Sequence, residues 1–495
     1  MGTRKNNFFG GVIIEGMAMI ITILLGIVVT PIYFQYITTN EFGVWSTILE
    51  LMTLMTLLNA GVGLLIVQTI SNLSKKGVEY VRKNLSSLLF YQVFILIIML
   101  LVCIVAYYIL PIFRSYELSN DLKFNIYMIM VVYLLTNTFS SWLNFVMVGR
   151  NQIVLSNSIA SLQKISNQLL PILFMFLGLG VISFSYSYIT ISFLGLCIYI
   201  IFCSSYLKDK ISSNYVSKFA IKENTRFSFR MFLGGTGYYI FNFTDTLVIA
   251  NFLSGHFVTV YVLTMKLGNV TRFVSAKILS SAFPSIAQLI AEENYEKLHE
   301  VILKLFRVAF RIAIFVPLFI FLFNETFVTN WVGFDKFGGN LISLFSAIIC
   351  FREAIFPVFG SVIFSTKDIK TFNYILLFEA GTNILMSIIL VRTWGIAGVA
   401  FATVLSSCVF SLGYSWHKAS QIIRLEIWQY FPSMLTVFLK SLPSIIVLVF
   451  GLIILKNRFG WLLFIVILTV AGFINVLFFE GSIIIKHRKL HIKDI

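Results

Sequence analysis

The sequence predicts an all-α polytopic membrane protein of about fourteen transmembrane helices, counted as spans of roughly 20 apolar residues. Composition is the first reason. Of 495 residues 58% are hydrophobic and only 12% charged, with a mean hydropathy of +0.92, whereas about a quarter of a soluble domain is charged. The second reason is how the charge is sorted. With the N-terminus placed inside, those of the 37 Lys and Arg that lie outside the spans fall roughly four to one on the cytoplasmic side, as positive-inside topology requires. The net charge of +16 is therefore a topological signal, not a nucleic-acid footprint, and both termini are expected in the cytoplasm. The third reason is an internal repeat, described below.

Taken in order, the start MGTRKNNFFGG lacks a short apolar core followed by a small-residue cleavage site, so the first span, 11–36, is expected to be retained. Spans at 45–70, 85–112, 122–147, 153–177 and 181–205 complete a first set. A basic stretch with Lys208, Lys210, Lys218, Lys222, Arg226 and Arg230 reads as a cytoplasmic linker. Spans at 229–252, 258–283, 301–323, 340–364, 371–391 and 395–417 form the second set, and 433–455 and 460–484 a final pair. The expected organisation is an N-lobe over 1–216, a C-lobe over 217–425, and a segment 426–495 holding two helices and a basic tail. Trp45, Trp331, Trp394, Trp416, Trp428 and Trp461 fall at span ends and read as an aromatic belt. Pro31, Pro171, Pro284, Pro317 and Pro357 lie in or at the ends of spans, where they can bend a helix. The five cysteines have no CxxC spacing, so no disulfide framework or metal site is indicated.

The halves match under one constant offset, which brings Val44 and Trp45 onto Val260 and Tyr261, Asn157 onto Asn373, and Asn167 onto Asn383. With a shift of one residue, Gly180 and Val181 meet Gly395 and Ile396. Because each half has an even number of spans, the repeat is parallel, related by a pseudo-twofold axis along the membrane normal, and the substrate path is expected between the lobes.

Charge is distributed unevenly over this shared scaffold. The stretch from Val258 to Pro284 is apolar enough to span, yet it carries Lys266, Arg272 and Lys277 and no acid. A charge at mid-span costs roughly 2.5 to 3.5 kcal/mol on insertion scales, so it normally faces a bundle interior or a wet cavity. Lys266 and Lys277 fall about 20° apart on a helical projection and Arg272 about 120° from both. The matching first-half positions are Glu50, Thr56 and Gly61, while Gln163 matches Glu379. The in-span bases are read as Lys164, Lys266, Arg272, Lys277 and Arg352, and the acids as Glu15, Glu50, Asp245, Glu353 and Glu379. Unpaired, at about 3 kcal/mol each, they would cost about 30 kcal/mol, so most are expected to be paired or hydrated. Arg352 and Glu353 project about 100° apart, and each is expected to find a partner elsewhere.

No GxxxxGK[ST] loop, HExxH pair or clustered histidine appears, which excludes a nucleotide-driven pump and a metalloprotease, and no metal or bound cofactor is expected. The outer loops are short, the longest candidates starting at Arg114 and Asn324. This argues for transport over a membrane-embedded sugar polymerase or ligase.

The segment TPIYFQYITTNEFGVWSTILELMTLMTLLNAGVGLLIVQTIS from Thr30 resembles the opening of bacterial polysaccharide (O-antigen type) flippases, members of the multidrug/oligosaccharidyl-lipid/polysaccharide (MOP) exporter superfamily. FNFTDTLVIANFLSGHFVTVYVLTMKL from Phe241, AFPSIAQLIAEENYEKL from Ala282, and FSTKDIKTFNYILLFEAGTNILMSIILVRTWGIAGVAFATVLS from Phe364 are similar to later blocks of that family. The resemblance implies a V-shaped pair of six-helix lobes working by alternating access. The implied cargo is an undecaprenyl-diphosphate-linked oligosaccharide, such as an O-antigen repeat unit, moved to the periplasmic leaflet of the inner membrane. Other polysaccharide-assembly membrane proteins are further expected contacts, alongside the lipid bilayer. The residues agree on chemistry, since Arg and Lys supply charge-assisted bonds to a diphosphate. Arg272 is expected to lead, with Lys266, Lys277, Lys164 and Arg352 assisting. Asp245, Glu379, Glu50, Glu15 and Glu353 are candidates for coupling to H+ or Na+ or for pairing with neighbouring cations. A multidrug antiporter of the same superfamily is the main alternative, and acids rather than cations would be expected to dominate its cavity.

Overall fold

A computed structural model of the chain describes residues 2–109, 118–269, 285–366, 369–457 and 460–491, and these hold helices and turns with no strand. The elements are α1 (Gly2–Tyr33), α2 (Thr39–Met55), α3 (Val62–Ser71), α4 (Leu73–Ile109), α5 (Asn120–Gly149), α6 (Ile153–Phe176) and α7 (Ile182–Leu207). They continue with α8 (Lys218–Phe243), α9 (Asp245–Phe252), α10 (Gly255–Thr264), α11 (Tyr295–Val332), α12 (Asn340–Ser365) and α13 (Ile369–Ser407). A π-helical segment (Cys408–Tyr414), α14 (Ser415–Ile423), α15 (Phe431–Asn457) and α16 (Trp461–His491) complete the order. Among the described residues 9 helices are long and apolar enough to cross a membrane, one of them the 51-residue run Asn373–Ile423 that holds two predicted spans. The all-α polytopic class read from the sequence is the class observed.

Two compact units divide the chain, Met1–Thr259 and Val260–Ile495. Within the first, α1 packs on α6, α5 and α6 on α7, α3 on α5, α4 on α8, and α2 on α9. Its core includes an aromatic box in which Trp45 stacks on Phe184 at 4.7 Å and meets Tyr188 edge-on at 5.1 Å, with Tyr133 against Tyr188. Within the second unit, α11 packs on α12 and α15, α12 on α13 and α14, and α15 on α16. Phe306, Phe359, Trp416 and Tyr430 form the aromatic centre there, Phe359 stacking on Trp416 at 4.9 Å. Three of the six predicted belt tryptophans are thus core residues: Trp45, Trp331 and Trp416 pack inward, whereas Trp394, Trp428 and Trp461 are exposed as a belt requires. Position at a span end does not say which way the ring turns.

Several predicted spans are broken helices. The second is interrupted between α2 and α3 by a 3-10 turn (Thr56–Asn59) and by Gly61 at φ +85°, a left-handed conformation that costs other residues about 1–2 kcal/mol. The seventh breaks at Thr244 between α8 and α9. α8 starts at Lys218, so Lys218, Lys222, Arg226 and Arg230 are helical and the linker is shorter than expected. The Asn324 region is likewise not a loop: α11 runs on to Val332, and Asn324 is buried, donating to the Thr264 carbonyl and the Ser343 hydroxyl, both at 2.9 Å. An Asn that satisfies two buried acceptors is a packing residue, which the hydropathy pattern alone cannot distinguish from a polar loop residue.

The repeat is visible in the backbone. Gly180, before α7, has φ +57°, and its sequence counterpart Gly395, inside α13, has φ +58°. Both make the sharp turn between paired helices. The other end of α2 is fixed by a capping box, with the Thr38 hydroxyl accepting from the Glu41 N–H and the Glu41 carboxylate accepting from the Thr38 N–H.

Candidate functional site

α12 is buried on most of its faces and brings Arg352 and Glu353 into the interior of the second unit. The Arg352 Nη1 donates to Glu353 Oε1 at 2.6 Å, and Nη2 donates to Glu379 Oε1 at 3.2 Å and to Ser411 Oγ at 2.6 Å. Ser411 in turn donates to Glu379 Oε2. Glu379 comes from α13 and is fully buried, and Ser411 comes from the π segment, whose extra residue per turn marks a local departure from helix geometry of the kind found at functional sites. Arg352 and Glu353 therefore do face one another, contrary to the helical projection. A guanidinium on a long, flexible stem spans the 100° that separates the two Cβ directions. Both nitrogens of its fork are committed, with Phe356 against the guanidinium plane at 4.6 Å. As a charge for an anionic substrate, the expected role of Arg352, it is already engaged by two carboxylates.

In the first unit, the Thr246 hydroxyl donates to Glu50 Oε2 and so ties α9 to α2. Asp245, next to Thr246, opens α9 at the helix break and is half-buried. Glu15 is half-buried on α1, and both it and Asp245 engage partners. α6 presents a polar stripe on which Asn157, Lys164, Asn167 and Gln168 share a face by their three- and four-residue spacing. α1 packs on that helix through the Asn157 amide, which donates to the Gly11 carbonyl at 3.0 Å, and through the Tyr33 hydroxyl, which donates to the Gln168 carbonyl at 2.5 Å. Lys164 lies midway along α6 and is exposed. An ammonium at such a position is stable only against water or a counter-ion, not against lipid tails.

Lys266 follows α10 and is half-buried. Arg272 and Lys277 lie outside the described residues. The acids and bases consequently separate. Each of the five predicted acids engages a partner, whereas neither Lys164 nor Lys266 makes an ion pair among the described residues. Sequence reasoning missed a polar chain in the second unit: Arg311 of α11 donates through Nε to Asn475 Oδ1 of α16, and the Asn475 amide donates to Ser444 Oγ of α15 at 3.0 Å. The available signal was Arg311 itself, a further cation within the predicted span 301–323.

Helices without strands among the described residues, broken apolar spans, a turn repeated in both halves and buried charge define a multi-pass membrane protein. The structure is similar over 97% of its length to 99% of "Lipid II flippase MurJ, inward closed conformation", at 16% identity and a TM-score of 0.67. It is also similar to an inward-facing multidrug resistance MATE family transporter of the MOP superfamily, covering 84% of this chain and 99% of that one at 17% identity and a TM-score of 0.62. An outward-facing MATE transporter of the MOP superfamily gives 84% and 97% at 15% identity and a TM-score of 0.53. These likenesses establish a shared fold. No curated protein matches by sequence. The family described as "Polysaccharide biosynthesis protein" matches residues 8–290, and the chain belongs to that family, as the resemblance of its segments implied.

Proposed function

We propose that the chain is a flippase for a lipid-linked oligosaccharide, carrying an undecaprenyl-diphosphate-linked repeat unit such as O-antigen from the cytoplasmic to the periplasmic leaflet of the inner membrane. In this reading the lobes 1–216 and 217–425 alternate in access, and both termini are cytoplasmic. The observation that carries it is the charge imbalance just described: the in-span acids are engaged, while Lys164 and Lys266 have no ionic partner among the described residues. In-span cations without ionic partners suit a diphosphate, to which each charge-assisted bond is worth about 1.5–3 kcal/mol. Arg272 and Lys277, on the same predicted span as Lys266, would add to it, whereas Arg352 would hold the second unit together rather than meet cargo.

Two further points support the reading. The family is one of polysaccharide biosynthesis, and a protein named as a lipid II flippase covers 97% of this chain, against 84% for the MATE transporters. An organic-cation antiporter would need unengaged acids. Coupling to H+ or Na+ belongs to the same proposal, with Glu50 and Asp245 at the α8/α9 break as the groups that change charge.

The test is depletion of the protein followed by a leaflet-resolved assay of the lipid-linked oligosaccharide, complemented with variants. Arg272→Ala is expected to abolish transport with normal insertion, Arg272→Lys to restore part of it, and Lys266→Ala to lower the rate about tenfold, the equivalent of one charge-assisted bond. Normal arrival of the oligosaccharide in the periplasmic leaflet after depletion, with no second flippase present, would overturn the proposal.

A further inference from the structure

One end of the first unit holds a cleft of about 830 Å³ between the C-terminus of α3, the turn joining α5 to α6, and the C-terminus of α7. It is lined by the aliphatic Val67, Ile70 and Val148 and by Ser71, Arg150, Asn151 and Tyr206. Arg150 closes α5, its N–H bonded to the Val146 carbonyl, and its Nη1 donates to the Phe202 carbonyl at 3.0 Å. The guanidinium lies over the Tyr206 ring at 4.7 Å, and the Lys210 ammonium lies over the same ring at 4.0 Å while donating to the Tyr206 carbonyl at 3.3 Å. Two cations thus share one aromatic ring, Arg150 lining the cleft and Lys210 beside it on the ring, and neither has a carboxylate within ion-pair distance among the described residues. The Tyr206 hydroxyl is buried and has no hydrogen-bond partner there.

A guanidinium without a counter-ion beside a cleft is stabilised by an anion that fills it. Stacking on the ring holds the guanidinium in place and leaves its remaining N–H groups free to grip a phosphate. The aliphatic wall beneath excludes a purely polar ligand such as a free nucleotide and suits an amphiphile. The ends of α4, α7 and α8 that border this region carry Lys75, Lys76, Arg82, Lys83, Lys208 and Lys218, which marks it as the basic end of the unit. Basic pockets between membrane helices at such an end bind anionic lipid head groups.

We propose that this cleft binds the phosphodiester head group of an anionic membrane phospholipid, with Arg150 on the phosphate, Lys210 adding positive charge from the same ring, and the first acyl carbons against Ile70 and Val148. The site shares no residue with the cargo contacts assigned above and does not depend on that cargo.

Native mass spectrometry of the full-length protein, released from detergent containing phosphatidylglycerol or phosphatidylcholine, tests it. The wild type is expected to retain phosphatidylglycerol in preference to phosphatidylcholine. Arg150→Gln is expected to lower that retention about tenfold, the loss of one charge-assisted contact, and Arg150→Lys to recover part of it. Ser71→Trp fills the cleft while leaving both cations in place and is expected to lower retention as much, which covers the case in which Arg150→Gln unfolds the unit. Arg82→Gln removes a cation from the same end, one bonded to the Asp209 carbonyl instead of the cleft, and is expected to change nothing. Equal retention by the wild type and Ser71→Trp overturns the site. Displacement of phosphatidylglycerol by stoichiometric geranyl diphosphate overturns the choice of a phospholipid and assigns the cleft to the prenyl diphosphate of the cargo.

Discussion

Arg352 joins three elements of the second unit through a single guanidinium, and removing it would leave Glu353 and Glu379 facing each other in a buried setting. Breaking such a cluster from one side costs about 3–5 kcal/mol. Arg352→Met is therefore expected to lower the thermal unfolding temperature in detergent sharply. Glu379→Gln, whose amide oxygen can still accept from Arg352 while its NH2 donates to the Ser411 hydroxyl, is expected to cost much less, and the double variant less than Arg352→Met alone. If Arg352→Met unfolds like the wild type, the cluster is not a structural lock and the cation returns to the list of substrate contacts. That buried charges would be neutralised was legible in the sequence, because ten of them in lipid could not be borne. Which pairs form was not, since a helical projection gives the direction of Cβ and says nothing of the reach of an arginine. Ser411 was invisible for a related reason: a serine within an apolar run carries no sign that a π turn will aim it at Glu379.

At the scale of elements, a close approach in the first unit lies where Gly43 of α2 meets Gly255 at the start of α10, and a Cβ on Gly43 would fall 1.8 Å from the Gly255 carbonyl oxygen. His256 Nδ1 and Thr39 Oγ1, 3.1 Å apart, and the Thr259 hydroxyl, which donates to the Thr39 carbonyl at 2.5 Å, bind the two helices beside this contact. Overpacking ordinarily costs about 1–3 kcal/mol, and here the obstacle is backbone, which cannot rotate away. Gly43→Ala is expected to reduce the yield of folded protein on size-exclusion chromatography, whereas Gly16→Ala, where a Cβ meets nothing within 4 Å, is expected to be neutral. Equal yields would mean that α2 and α10 can part at little cost. Helices were legible as apolar runs of the right length. Their interruptions were less so: Gly61 hints at the break after α2, but Thr244, where α8 ends, is an ordinary residue whose role emerges only from packing.

For the molecule as a whole, the last two helices are not an appendage. Tyr430 is fully buried in the core of the second unit with Phe306 and Phe359, and the Arg311–Asn475–Ser444 chain ties α16 and α15 to α11. Truncation after Arg424 would strip that core of an aromatic side chain, typically worth about 3–5 kcal/mol, and leave Arg311 without Asn475. The shortened chain is expected to be degraded in cells, and a pulse-chase comparison with the full-length protein would measure it; a truncated chain with the normal half-life would mark the helices as dispensable to folding. The overall class, the near-complete set of spans and the family were readable from composition, charge sorting and the quoted segments. The placement of Tyr430 was not, because a single tyrosine beyond a predicted span gives no hint of which core it enters.

Gly180 and Gly395 share a left-handed φ in halves whose charged positions have diverged, with a neutral Gln163 where the other copy has Glu379. Backbone shape and chemical personality have thus been inherited on separate accounts. Tolerance measured by mutating one copy should transfer to the other wherever the constraint is a bend in the chain, and should fail to transfer wherever the constraint is a charge. The two halves thus repeat a backbone turn while carrying unlike side chains at matched positions.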